Sequence, residues 1–159
     1  MDDVEGFVEG IERARAHLGT LLEDAARRRP RVIVKGGPGA TVTADNAALL
    51  LSLRDLAELL DGVEFHPEVL ADGEGVAMWV PEFAIYGRGK DLPEALKDLV
   101  EEVRDYVLEY LEQPQLYRAA PNRASQYGHV LKAFAADLLG ELDALFLSDP
   151  SGRGVAATA

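Results

Sequence analysis

Three histidines (His17, His66 and His129), four serines (Ser52, Ser125, Ser148 and Ser151) and a row of helix-spaced carboxylates are the side chains best suited to chemistry in this chain. A hydrolytic metal site would want histidines one helical turn apart, as in HExxH. The three here stand singly and far apart, so neither a metal nor any other cofactor is expected. None of the serines lies in a GxSxG setting, which a strained nucleophile elbow requires. Asp98, Glu102 and Glu109 share one face of a predicted helix. A glycosidase-like pair, however, needs a cleft that raises one carboxyl pKa, and these three belong to a set of seven with Glu94, Glu101, Asp105 and Glu112 that reads more simply as a solvated face. The GGPG at 36–39 lacks the lysine and hydroxyl of a phosphate loop and reads as a turn. The sequence therefore predicts a protein that binds rather than catalyses.

Binding residues fall into two groups of opposite charge. Between residues 13 and 35 stand Arg13, Arg15, Arg27, Arg28, Arg29, Arg31 and Lys35 against only Glu23 and Asp24, whereas from Asp61 to Glu112 fourteen acidic residues face four basic ones. Arg13, Arg15, Arg27, Arg28 and Arg31 are the candidates for contact with DNA phosphates, presented twice by a symmetric dimer. The bland use of such a cluster, and the one that composition alone favours, is to solubilise a helix end. Glu101, Glu102 and Asp105 are candidates for steering a basic partner protein. Arg88, next to Tyr86 in a Gly-Arg-Gly turn, and the polar-aromatic residues Tyr117, Arg118, Arg123 and Tyr127 are candidates for holding it, although clusters of this kind also pin a loop to its own domain. Asn122 and His129 belong to the same cluster.

The elements that must carry these residues follow from periodicity. The chain has 159 residues, 48% of them apolar, a formal net charge of -12 and no cysteine. It can thus bury one fair core or two small ones without disulfides. Apolar spacing predicts a helix over 5–28, weakened at Gly10 and Gly19 and closed by Arg27-Arg28-Arg29-Pro30. RVIVK at 31–35 is a strand because its β-branched residues favour the pleat. A return strand runs to Leu51, followed by Ser52 as a cap and a helix over 53–60. Strands are predicted at 63–70, 75–80 and 83–86, with Pro81 at a bulge or edge. Asp91, Pro93 and Glu94 form a capping box before a helix whose stripe is Leu92, Leu96, Leu99, Val103, Tyr106, Val107 and Tyr110 or Leu111. Residues 113–126, with two prolines, are read as irregular, 127–147 as helix and 148–159 as a frayed tail. The fold class is α+β, with small antiparallel sheets packed against amphipathic helices and a central β-β-β-α module. Three segments result: 1–60, 61–112 and 113–159. The acidic start and the lack of a run of roughly 20 apolar residues predict a soluble cytoplasmic protein with no membrane partner.

Two stretches resemble bacterial antitoxins. RARAHLGTLLEDA at 13–25, then RVIVKGG and ALLLSLRDLAELL, is similar to the Phd/YefM pattern of helix, strand, return strand and helix over roughly 11–60. Here the hairpin is stretched by GPGATVTAD, and the customary opening strand gives way to an acidic helix-like leader. GVAMWVPEFAIYGRGKDLPEALKDLVEEVRDYVLEYL looks like a HicB-type antitoxin core, with Val80, Pro81, Gly89, Leu92, Glu94, Ala95 and Leu96 where that pattern wants them, but without its glycine-cysteine after the proline. The resemblance implies a homodimeric antitoxin of a type II toxin-antitoxin system that neutralises a small basic RNase toxin by direct binding and represses its own operon through operator DNA. The competing classes are a small-molecule or RNA-binding regulator that uses the sheet face and a hydrolase built on His66 or His129.

Overall fold

The computed structural model describes residues 8–36 and 39–147, so the predicted tail and part of the GGPG turn lie outside the described residues. The chain divides into two compact units, 1–59 and 60–159.

In the first unit, β1 (Val8–Gly10) leads into α1 (Ile11–Ala16) and α2 (Leu18–Ala26), then β2 (Arg31–Val34), β3 (Ala47–Leu50) and α3 (Leu53–Leu59). The single helix expected over 5–28 is therefore corrected in two ways. Residues 8–10 form the opening strand that the sequence appeared to lack, and the helix breaks at His17. β1 pairs parallel with β2 in the register Val8↔Val32, and β2 pairs antiparallel with β3 as Arg31↔Leu50. A parallel pair needs a crossover connection, which α1 and α2 supply. The sheet is thus mixed, with order β1-β2-β3. Arg28, at φ 64°, ends α2 in a left-handed turn. Ser52 caps α3 as expected: its Oγ accepts from the Asp55 amide at 3.1 Å. The core of this unit is small, with Ala14, Leu21, Ala25 and Val34 its buried apolar residues.

The second unit contains β4 (Glu68–Asp72), β5 (Gly75–Val80), β6 (Ile85–Gly89), α4 (Leu92–Glu112), α5 (Pro114–Ala119), α6 (Pro121–Ala124), α7 (Tyr127–Leu138) and α8 (Ala144–Leu147). The sheet is antiparallel in the order β4-β5-β6, with registers Leu70↔Ala77 and Ala77↔Arg88. The Asp91 carboxylate accepts from the Glu94 amide at 3.0 Å, and the Glu94 carboxylate accepts in return from the Lys90 amide at 3.1 Å. This is the predicted box, closed one residue early. The α4 stripe buries Ala95, Leu99, Val103, Val107 and Tyr110 on Met78, Val80 and Phe83. Its other flank meets α7, and Arg104 donates two hydrogen bonds from Nε and one from Nη2 to the Asp137 carboxylate. Three expectations are corrected here. Residues 113–126 are not irregular, because each proline opens a short helix, where a missing amide costs nothing. Gly-Arg-Gly is not a turn but the end of β6, since Gly87 and Gly89 lie directly under α4 with no room for a side chain. The helix at 127–147 is interrupted by Gly140, at φ 71°.

Candidate functional site

Three of the five arginines expected at phosphate are paired with carboxylates. Arg31 donates to Asp24 through Nε at 3.0 Å and also through Nη2. This bond, more than any other influence, holds the Asp24 carboxyl below the ordinary carboxylate value. Arg28 bridges to Asp55 at 2.6 Å and to Glu58. Arg15 pairs loosely with Glu12 at 3.1 Å on an exposed surface. Arg13 and Arg27 are exposed and make no ion pair among the described residues. Arg13 and Arg15 lie two apart on α1, so they point to different sides of it. Asp24 stands in the same stretch of sequence, but the counterions of Arg28 lie 27 and 30 residues away, so a count of positive charges along the chain overstates the free cations.

Carboxylates on α4 sort in the same way. Glu94 is held by Lys90 at 2.5 Å, Asp98 accepts from the Arg88 amide at 2.8 Å, and Glu109 lies near enough to Tyr117 to raise the pKa of its hydroxyl. Glu101, Glu102 and Asp105 stay exposed and, among the described residues, hold no ion pair. Leu108, not among the residues expected from the sequence, is 43% exposed. It falls in the helical row of Glu101, Asp105 and Glu112, because spacings of four, three and four residues return to one side of a helix. Its signal was available: an apolar residue at an acidic-face position.

The aromatic cluster is more internal than expected. Tyr117, foreseen as a presented anchor, is buried at 7% exposure, because α5 turns its ring onto Tyr110 and Tyr106 with centroids 4.9 and 5.8 Å away. Arg123 lies over Tyr117 and Tyr106 at 5.2 and 5.3 Å, so its cation serves the same packing. Arg118 sits over the Tyr127 ring at 5.0 Å, and both residues remain exposed. Arg88 is also exposed, with Nε 3.3 Å from Asp72 and its guanidinium 5.9 Å from the Tyr86 ring.

The histidines do not converge on chemistry. His66 Nδ1 lies 2.8 Å from Glu82, and His129 Nε2 lies 2.9 Å from the Glu64 carbonyl and packs edge-on against Phe65. No group of three or more metal-ligating side chains is assembled among the described residues.

Comparison with known proteins gives this set of binding surfaces a context. The profile of the PHD-like family, described as the antitoxin of RelE/RelB toxin-antitoxin systems, matches residues 7–145, which is most of the chain. The chain belongs to the PHD-like antitoxin family. One profile thus runs through both units. Among curated proteins none matches the chain. A crystal structure described as the antitoxin part of a proposed toxin/antitoxin system from Syntrophomonas wolfei subsp. wolfei superposes with a TM-score of 0.65 at 18% identity, covering 87% of this chain and 94% of that one. At that identity the likeness is one of fold. This antitoxin is accordingly a binding protein and not an enzyme, and its partner is a toxin protein.

Proposed function

We propose that this antitoxin neutralises a small basic RNase toxin by direct contact through its second unit. The observation that carries the reading is the exposed set of Glu101, Glu102 and Asp105, none of them in an ion pair among the described residues, with Leu108 in the helical row of Glu101 and Asp105. Carboxylates of this kind accelerate encounter with a basic partner, and an apolar side chain in their midst supplies contact area once water is expelled. Arg118 and Tyr127 are the other presented contacts, while Arg88 holds Asp72 on the sheet. The reading is tested by co-expressing the chain with the protein encoded beside it. The toxin should be captured and growth restored, and charge reversal of Glu101, Glu102 and Asp105 to lysine should slow association, most at low salt. The HicB-like character of the second unit belongs to this proposal too, as does a cytoplasmic location.

In the first unit we propose homodimerisation and operator binding. Leu18, Leu22, Leu49 and Leu59 are 50–72% exposed on a unit with few fully buried apolar residues. Surface of that kind is costly to leave in water, and a second copy would cover it. Arg13, Arg27 and the outer side of Arg15 are then the cations available to phosphate, and autorepression would follow from their duplication in a dimer. Arg28 and Arg31 would act chiefly by fixing the loop that presents Arg27 and Arg29.

A further inference from the structure

The sheet of the second unit has an edge and a face that α4 does not use. Register puts Glu68, Trp79 and Tyr86 in one cross-strand row and Leu70, Ala77 and Arg88 in the next, with Asp72 opposite Gly75 beyond them. All of these lie on the side away from α4, because Val76, Met78 and Val80 of the same β5 strand pack against the helix. The Trp79 and Tyr86 rings stack with centroids 4.2 Å apart and planes 30° from parallel, making an apolar shelf on which Tyr86 is 44% exposed, with Leu70 40% exposed in the next row. β4 borders the shelf as an edge strand with β5 on one side only, and all five of its residues are exposed. Alternate backbone groups of such a strand point outward and can pair with another strand.

We infer that β4 accepts an extended segment of the basic toxin as an added strand, which is a second contact and rests on the antitoxin reading above. Charge identifies the occupant. Glu68 and Asp72 flank Leu70 at two-residue spacing on the shelf side, so an added strand that puts an apolar residue opposite Leu70 puts its own residues two places either way opposite carboxylates. The matching pattern is basic-x-apolar-x-basic. A second copy of this chain fits poorly, because antiparallel pairing of β4 with itself about Leu70 sets Glu68 against Asp72 twice, and like charges directly opposite destabilise a sheet. Nucleic acid could stack on Trp79 and Tyr86, but the same two carboxylates would repel its phosphates. Arg88, with Nε 3.3 Å from Asp72, offsets one of the two, so Glu68 is the carboxylate that chiefly excludes phosphate and selects a basic residue.

Trp79 is the only tryptophan of the chain and pairs directly with Glu68, so its fluorescence reports what reaches this face. The full chain is titrated with two peptides of the same composition, acetyl-Thr-Arg-Thr-Val-Thr-Arg-Thr-amide and acetyl-Thr-Thr-Arg-Val-Arg-Thr-Thr-amide. The first should shift Trp79 emission and bind about tenfold more tightly than the second, and Glu68→Lys should weaken it by about tenfold while leaving the melting temperature and far-ultraviolet spectrum unchanged. Equal affinity for the two peptides, indifference to Glu68→Lys, or a Trp79 response to a short oligouridylate that exceeds the response to both peptides would overturn the inference. The toxin arm separates this from the parent reading. If the unaltered antitoxin captures its toxin and Glu68→Lys with Asp72→Asn captures it equally well, the added strand is refuted and neutralisation stands. If the unaltered protein captures nothing, the toxin reading fails and the occupant inferred here fails with it.

Discussion

Gly87 of β6 lies so close beneath Leu99 of α4 that a methyl group on the glycine would come within 2.3 Å of the Leu99 amide nitrogen. The contact is with backbone, so no side-chain rotation relieves it. Gly87→Ala should therefore push α4 off the sheet and cost at least about 1–3 kcal/mol, as overpacking does. Gly19→Ala is the contrast: nothing lies within 4 Å of the added carbon. In the first turn of α2 it should stabilise the first unit, by up to about 0.5–1 kcal/mol. Chemical denaturation of the two variants, followed unit by unit with amide hydrogen exchange, should give opposite signs.

Leu99 itself is fully buried at the centre of the second unit. Leu99→Ala removes side-chain volume where the strand on one side and α4 on the other cannot collapse freely, and should cost about 2–5 kcal/mol. A loss below about 0.5 kcal/mol, the range of surface substitutions, would contradict the assigned core.

Asp24 links the first unit to pH. Its folded pKa is lowered by the hydrogen bond from Arg31, from an ordinary value of 3.8. A depressed carboxyl stabilises the fold fully above its unfolded pKa and loses that stabilisation as pH falls through the folded value. The first unit should accordingly weaken as acid is added below pH 3.8, and Asp24→Asn should flatten that part of the profile. An Asp24→Asn protein with an unchanged acid limb would contradict the coupling.

How much of this was legible in the sequence depends on how far apart the deciding residues lie. The Asp91 box, the Ser52 cap and the Leu99 stripe were readable because each is written in the local spacing of a single helix. Val8–Gly10 was not, because three residues of strand carry no period of their own and acquire one only by pairing with Val32–Val34. Tyr117 looked like a presented aromatic for the same reason: its burial depends on Tyr106 and Tyr110, which reach it through α5 and not along the chain. The arginine cluster was correctly seen as basic, but Asp55 and Glu58, which neutralise Arg28, belong to another helix.

Operator binding, if the first unit performs it, should depend on the unpaired cations. Arg13→Ala with Arg27→Ala should lower the salt dependence of DNA affinity by about two phosphate contacts per protomer without loss of folding stability. Arg28→Ala should behave differently, destabilising the first unit because it leaves Asp55 and Glu58 without their shared cation. Affinity measured at several salt concentrations, together with a melting curve for each variant, distinguishes the two outcomes.

The central claim is that the exposed acidic row of α4 captures a basic toxin. Its most direct measurement is the association rate between the purified antitoxin and the protein encoded beside it, taken across a range of ionic strength for the parent chain and for Glu101→Lys, Glu102→Lys, Asp105→Lys together. Association of the parent should be rapid and slow as salt rises, and the variant should associate more slowly at low salt and converge with the parent at high salt. Rates that are equal for parent and variant at every salt concentration would contradict it.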